Sequence, residues 1–143
     1  MLRWMVAVMT ALWACSAMAD SLEKFEWENR LLLVFAPGSS DGALADQRKR
    51  LALVPDGLAE RHMRVIEVLE KRPVTVDETP DTSLSGTSLR KSYEIAPGTF
   101  VAVLVGKDGG EKGRWAKPVP PQEVFDMIDV MPMRMDEMRE QRN

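Results

Sequence analysis

Five consecutive apolar residues, Leu31 to Phe35, follow Arg30 and stop at Ala36-Pro37-Gly38. The run is too short for a buried helix and shows no polar alternation, so it predicts a central strand covered on both faces. A strand of that kind needs helices packed above and below it, which points to an α/β class.

The next residues supply the first helix. "GSSDGALADQRKRLALVP" opens with turn formers, and Ser40 or Asp41 can cap a helix on which Leu44, Gln47 and Leu51 share a face before Pro55 ends it. "DGLAERHMRVIEVLE" then predicts a short helical turn and a second apolar strand around Val65 to Leu69, parallel to the first by the handedness of such crossovers. Lys71 to Thr87 is rich in Pro, Ser, Thr, Asp and Gly, carries no period, and is expected to form a mobile surface loop. Ser88 is expected to cap a short helix over "LRKSYEI", which Pro97-Gly98 breaks before the strand "TFVAVLVG".

"VLVGKDGGEKGRW" resembles several loop types at first sight. A phosphate loop needs Gly, four residues, then Gly-Lys-Ser or Gly-Lys-Thr, and a calcium loop needs alternating acids with a closing Glu. Neither pattern fits Gly106 to Gly113. Asp108-Gly109 instead matches a type I′ hairpin turn, in which both central residues take positive φ. Lys107, Lys112 and Arg114 are then expected to be solvated charges guarding an edge strand. Beyond them, Pro120 and Pro121 suit a helix start, and Val124, Phe125, Ile128 and Met131 form one apolar stripe. Pro132 is expected to stop or kink that helix, leaving a charged, helix-prone tail.

The chain opens with "MLRWMVAVMTALWACSAMAD": Arg3, an apolar stretch from Trp4 to Ala14, and a small-x-small site at Ala17-Met18-Ala19. These features predict a secretory signal peptide over residues 1–19 and a mature single domain over residues 20–143. The apolar stretch is shorter than the roughly 20 residues a bilayer span takes, and no later segment is closer, so no transmembrane segment is expected in the mature protein. Leu12-Trp13-Ala14-Cys15 supports a competing reading, a lipoprotein anchored at Cys15. Export implies a periplasmic or secreted location.

Cys15 is the only cysteine, so the domain after residue 19 has no thiol and no disulfide. Thiol peroxidases, disulfide oxidoreductases, cysteine hydrolases and cysteine-based zinc sites are excluded. Removing the leader takes away Arg3 alone among the charged residues, leaving 18 basic against 22 acidic side chains and a net charge of −4 before the termini. Nucleic acid is not an expected partner.

The order β-α-β, loop, α, β-hairpin, α is that of thioredoxins, and "YEIAPGTFVAVLVGKDGGEKGRW" resembles their stretch from the cis-proline to the last strand. The fold class read here is therefore thioredoxin-like α/β, a mixed central sheet with a C-terminal hairpin and flanking helices. Through "WENRLLLVFAP", Gln47, "GTFVAVLVGKDGGEKGR" and "MIDVMPMRMDEM" the chain also resembles the DUF4174 family of small exported bacterial proteins. That resemblance implies a relation to a thioredoxin-like domain in vertebrate sushi-repeat and matrix proteins. Where thioredoxins carry Cys-x-x-Cys this chain has Ala36-Pro37-Gly38-Ser39-Ser40-Asp41, and Gly98 stands in the cis-proline position.

Three functional readings follow. The first is a redox-inactive binding or interaction module for a protein or small ligand, with Lys107, Asp108, Lys112 and Arg134 as candidate binding residues and no cofactor expected. Arg134 has two roles open to it: an ion pair with Asp129 across Pro132, or an anion site shared with Lys107 or Lys112. The second reading is Cu(I) binding by the soft thioethers of Met131, Met133, Met135 and Met138. The third is a cysteine-independent enzyme using Ser39-Ser40-Asp41 or the charges around Lys107 and Asp108. His62 is the only histidine and makes no triad or two-histidine metal spacing. The acid pairs Asp126/Asp129 and Asp136/Glu137 are expected to be solvated helix faces.

Overall fold

A computed structural model of the chain describes residues 21–143. The expectations for the leader, its cleavage after Ala19 and Cys15 lie outside the described residues. A 3-10 turn over Ser21–Phe25 precedes β1 (Arg30–Ala36), α1 (Gly42–Ala52), α2 (Pro55–Glu60) and β2 (Met63–Leu69). The short strands β3 (Thr75–Val76) and β4 (Thr79–Pro80) and the helix α3 (Gly86–Ser92) follow. The chain ends with β5 (Val101–Val105), β6 (Glu111–Trp115), α4 (Pro121–Asp129) and α5 (Pro132–Glu140).

All six strands join one sheet in the order β4-β3-β2-β1-β5-β6. β1 lies parallel to β2 and antiparallel to β5, and β6 returns antiparallel to β5. Every residue of β1 is buried, as a strand in the middle of a covered sheet requires. Its odd-numbered side chains Leu31, Leu33 and Phe35 face a layer with Phe25, Ile66 and Leu89, while Leu32 and Val34 face Leu44, Val124, Phe125 and Ile128. The alternation places the 3-10 turn and α3 on one face and α1 and α4 on the other. Gln47 is fully buried under the second layer. Its amide oxygen accepts from the Val119 N–H (2.8 Å) and its nitrogen donates to the Val119 carbonyl (3.1 Å), which ties the stretch after β6 to α1.

Several local expectations change. The segment from Lys71 to Thr87 is not a structureless loop: β3 and β4 pair antiparallel and extend the sheet beyond β2, with Val74, Val76 and Leu84 buried. Their two-residue turn holds Asp77 (φ 46°) and Glu78 (φ 70°), both left-handed. Asp77 is fixed there by Arg64 and by the Val65 N–H (2.9 Å), contacts that no local pattern announces. The α3 cap is Ser85, whose hydroxyl accepts from the Ser88 N–H, rather than Ser88 itself.

The β5–β6 hairpin is present, but its turn is not type I′. Only Gly109 takes positive φ (82°); Asp108 does not. The Gly109 N–H bonds the Gly106 carbonyl and the Gly106 N–H bonds the Gly110 carbonyl, which closes a three-residue loop Lys107-Asp108-Gly109 ending in a left-handed glycine. A register shift between Leu104 and Val105 follows. Among the described residues no peptide bond is cis, Ala96–Pro97 included, and no helix is long and apolar enough to cross a membrane.

Candidate functional site

At the C-terminal end of β1 the chain runs through Pro37, Gly38, Ser39 and Ser40 into α1. Asp41, not a serine, caps the helix, its carboxylate accepting the Leu44 N–H at 3.0 Å. Ser39 and Ser40 are exposed. Arg48 and Glu67, which line the same pocket as Ser39, are already committed to each other through a two-pronged contact of 2.6–3.1 Å. Their hydrogen bond holds the Arg48 guanidinium above its ordinary value.

The opposite end of the sheet holds a denser arrangement. Arg30 opens β1, His62 immediately precedes β2 with φ 51°, and Lys107 leads the hairpin loop. The backbone knits them together: the Arg30 N–H and the Asn29 amide both donate to the His62 carbonyl, and the Trp27 N–H donates to the Lys107 carbonyl at 2.6 Å. Glu137 descends from α5 into this group. One carboxylate oxygen accepts from the Lys107 ammonium (2.5 Å) and the other from Arg30 Nη1 (3.1 Å), with Arg134 Nη1 at 3.6 Å. The Arg30, Lys107 and Arg134 side chains are 1, 7 and 1 % exposed, so these contacts lie in a low-dielectric interior.

A second carboxylate extends the network. Arg134 Nε meets Asp129 at 3.3 Å and Nη2 meets Glu60 at 2.9 Å, while Arg61 grips Asp129 through Nε (2.9 Å) and Nη2 (2.8 Å) and lies 4.1 Å over the Phe125 ring. Four cations, Arg30, Arg61, Lys107 and Arg134, therefore share three carboxylates, Glu60, Asp129 and Glu137. The Arg30 Nε–H is buried without a partner.

The electrostatics follow from this packing. Burial pushes the Glu137 carboxyl up, but hydrogen bonds and charge from Lys107 and Arg30 outweigh it and hold the group below the usual range. The Arg61 hydrogen bond does the same for Asp129 against a smaller burial penalty, with Arg134 adding to it. Lys107 also lies 2.8 Å from His62 Nδ1. An ammonium has no lone pair, so Lys107 can only donate in this contact.

Of the candidate binding residues, Lys107 and Arg134 converge, through Glu137, while Asp108 and Lys112 do not join them. Those two pair with each other at 2.8 Å on the exposed hairpin, and the Lys112 hydrogen bond lowers the Asp108 pKa. Lys107 is not a solvated edge charge as expected; it is among the buried polar residues of the protein. Glu137 and Asp129 are likewise not solvated faces. The predicted ion pair of Arg134 with Asp129 is present. The serine loop stands at the other end of β1, about 20 Å away by strand rise, so Ser40 cannot act with Lys107 or Arg134.

The methionines divide. Met131 is the extended cap residue before α5 and packs against the core layer of α4, while at about 100° per helical residue Met135 and Met138 share one side of α5 and Met133 points away from it. Among the described residues no group of His, Asp or Glu side chains could hold a metal ion. Sequence reasoning missed Arg30, Arg61 and Glu60. One signal was present: a charged residue opening a fully buried strand has to find a partner.

Fold and site together define a thioredoxin-fold domain without thiols, whose concentrated charge lies at the end of the sheet opposite the usual reactive loop. The fold is shared with Plasmodium yoelii thioredoxin peroxidase I (TM-score 0.60, 17% identity, 80% of this chain and 79% of that one). It is shared also with reduced Plasmodium vivax 2-Cys peroxiredoxin (TM-score 0.59, 16% identity, 80% and 84%). The chain belongs to the DUF4174 family, described as a domain of unknown function, whose model matches residues 21–137. It is 30% identical over 131 residues to human sushi repeat-containing protein SRPX2, covering 87% of this chain and 28% of that protein. It is 29% identical over 143 aligned residues to coiled-coil domain-containing protein 80 from Danio rerio, with coverage of 89% and 16%. The chain thus spans little more than a quarter of the length of these relatives, or less.

Proposed function

We propose that the protein is exported and works as a redox-inactive, thioredoxin-like binding module. The observation that carries this reading is the loop after β1. Asp41 holds the helix start that a reactive thiolate would use, and no cysteine lies in residues 20–143. Two further observations support it. The leader reads as a secretory signal, and the matching relatives contain a domain of this kind as a minor part of longer chains, which suits a module more than a self-contained catalyst. The Cu(I) alternative draws on Met131, Met133, Met135 and Met138; Met133 points away from Met135 and Met138 on α5, which weakens the four-sulfur version.

The test uses the chain from residue 20 onwards, which contains every described element. Insulin reduction with a dithiol donor and consumption of hydrogen peroxide should both proceed at the buffer rate. Turnover above buffer in either assay would overturn the reading.

A further inference from the structure

We propose that Arg30 and Lys107 form a carboxylate receptor that Glu137 fills from within the chain, and that an acidic segment of a partner protein binds by replacing Glu137 and releasing α5. The proposal rests on the binding-module reading and specifies its site and ligand.

Receptor and occupant belong to different parts of the fold. Arg30 is on β1 and Lys107 in the β5–β6 loop, each fixed by backbone contacts that do not involve α5: Arg30 Nη1 donates to the Arg61 carbonyl at 2.9 Å, and the Lys107 carbonyl accepts from Trp27. Both cations stay in place when α5 moves. Two cations held side by side without an anion repel each other and favour a replacement carboxylate. Arg61 remains bound to Asp129 of α4 and does not compete for it.

Glu137 is a restricted occupant. It reaches Arg30 only at Nη1 and leaves the buried Nε–H unpartnered, while its other oxygen is taken by Lys107. A carboxylate on a free side chain or chain terminus is not held to the angle α5 imposes. The site is also open on one side: His62, 45 % exposed, stands 3.8 Å from the Glu137 carboxylate at the rim. Acidic ligands can approach there and share the Lys107 ammonium before Glu137 departs.

The cover is attached mainly by charge. Arg134, the one buried side chain of α5, holds Glu60 and Asp129, and no apolar residue within the helix itself is buried. Its link to α4 is the exposed Val130 and the half-buried Met131, with Pro132 starting the new helix, which gives a natural pivot. A carboxylate from outside competes with Glu137 for two cations; release of α5 also withdraws Arg134 from Glu60 and Asp129, of which Asp129 keeps Arg61, so the exchange is mostly one of ion pairs.

The experiment removes the internal ligand. Glu137→Ala in the chain from residue 20 is titrated with sodium acetate, and with sodium chloride at matched ionic strength, following the urea midpoint and the amide signals of Trp27 and Lys107. Acetate should raise the midpoint saturably, by roughly a tenfold change in the unfolding constant once it exceeds its dissociation constant tenfold. Chloride should have little effect. The unsubstituted chain should not respond at the same concentrations, because Glu137 acts at a high effective concentration. Adding Lys107→Met should abolish the acetate response.

If Glu137→Ala does not fold in chloride, recovery of its helical signal in acetate becomes the readout. Equal effects of acetate and chloride, or an undiminished response with Lys107→Met, would sink the proposal. Either failure leaves the redox-inactive reading standing, since the insulin and peroxide assays decide that separately.

Discussion

α4 and α5 are consecutive nine-residue helices separated by Val130 and Met131, and each begins with a proline in its first turn. Yet they attach to the sheet by different forces. α4 turns Val124, Phe125 and Ile128 into the core beneath Leu32, Val34 and Leu104. Burying each such side chain stabilises by about 1.5–3 kcal/mol and requires no partner of opposite charge. α5 buries Arg134 alone, which pairs with Glu60 of α2 and Asp129 of α4, and reaches the end of the sheet through Glu137; the attraction of these charges is largely offset by the cost of taking them out of water. The lesson is that one terminal helix is a wall of the core while the next is a charged latch laid over its end.

The largest expected effect breaks the wall. Ile128→Ala removes a fully buried side chain and should cost about 3 kcal/mol, with α4 and the sheet unfolding together in urea. If the loss is confined to the amides of α5, the assignment of α4 to the core is wrong.

The latch should give the next largest effect. Lys107→Gln takes the ammonium from Glu137 but leaves Arg30 in place, and should cost roughly 2 kcal/mol, the scale of a buried charged hydrogen bond. Lys112→Gln on the same hairpin breaks only an exposed pair and should shift stability by no more than about 0.5 kcal/mol. Equal losses for the two lysines in urea melts would erase the distinction between buried and solvated charge at this loop.

The smallest effect comes from acid. Glu137 and Asp129 titrate lower in the folded protein than in the unfolded chain, whose values are about 4.3 for Glu and 3.9 for Asp. Unfolding therefore takes up protons, and the stability these groups contribute is complete above those values and is lost as pH falls through the lower folded ones. Amide exchange protection should decline in α5 before α4 as the pH is lowered from about 5 to about 3, and Lys107→Gln should move the onset upward. Simultaneous loss in both helices would count against an electrostatic latch.

Much of the architecture was legible. Leu31 to Phe35 predicted the central strand, Asp41 was one of two predicted caps of α1, and Val124, Phe125 and Ile128 predicted the buried face of α4. These signals are local and periodic, and burial rewards them wherever the chain collapses. The strands β3 and β4 were not legible, because two-residue strands carry no period and their left-handed turn at Asp77-Glu78 is held by contacts from β2. The hairpin was foreseen and its turn was not: Asp-Gly suits both a type I′ turn and a type I turn closed by a left-handed glycine, and the loop length decides between them.

For the site, the sequence by itself settled what chemistry is missing, since a domain with no cysteine cannot run a thiol reaction however it folds. It also offered Lys107 and Arg134 as candidates, without distinguishing Lys107 from the nearby Lys112. Only the tertiary structure decided that difference. Arg30, His62, Lys107 and Glu137 come from well-separated points of the chain, and they meet because β1, β2 and the β5–β6 loop end at the same edge of the fold. Whether a lysine is a solvated charge or half of a buried pair depends on the water that neighbouring elements exclude and the carboxylate they supply. No spacing within the chain encodes either quantity.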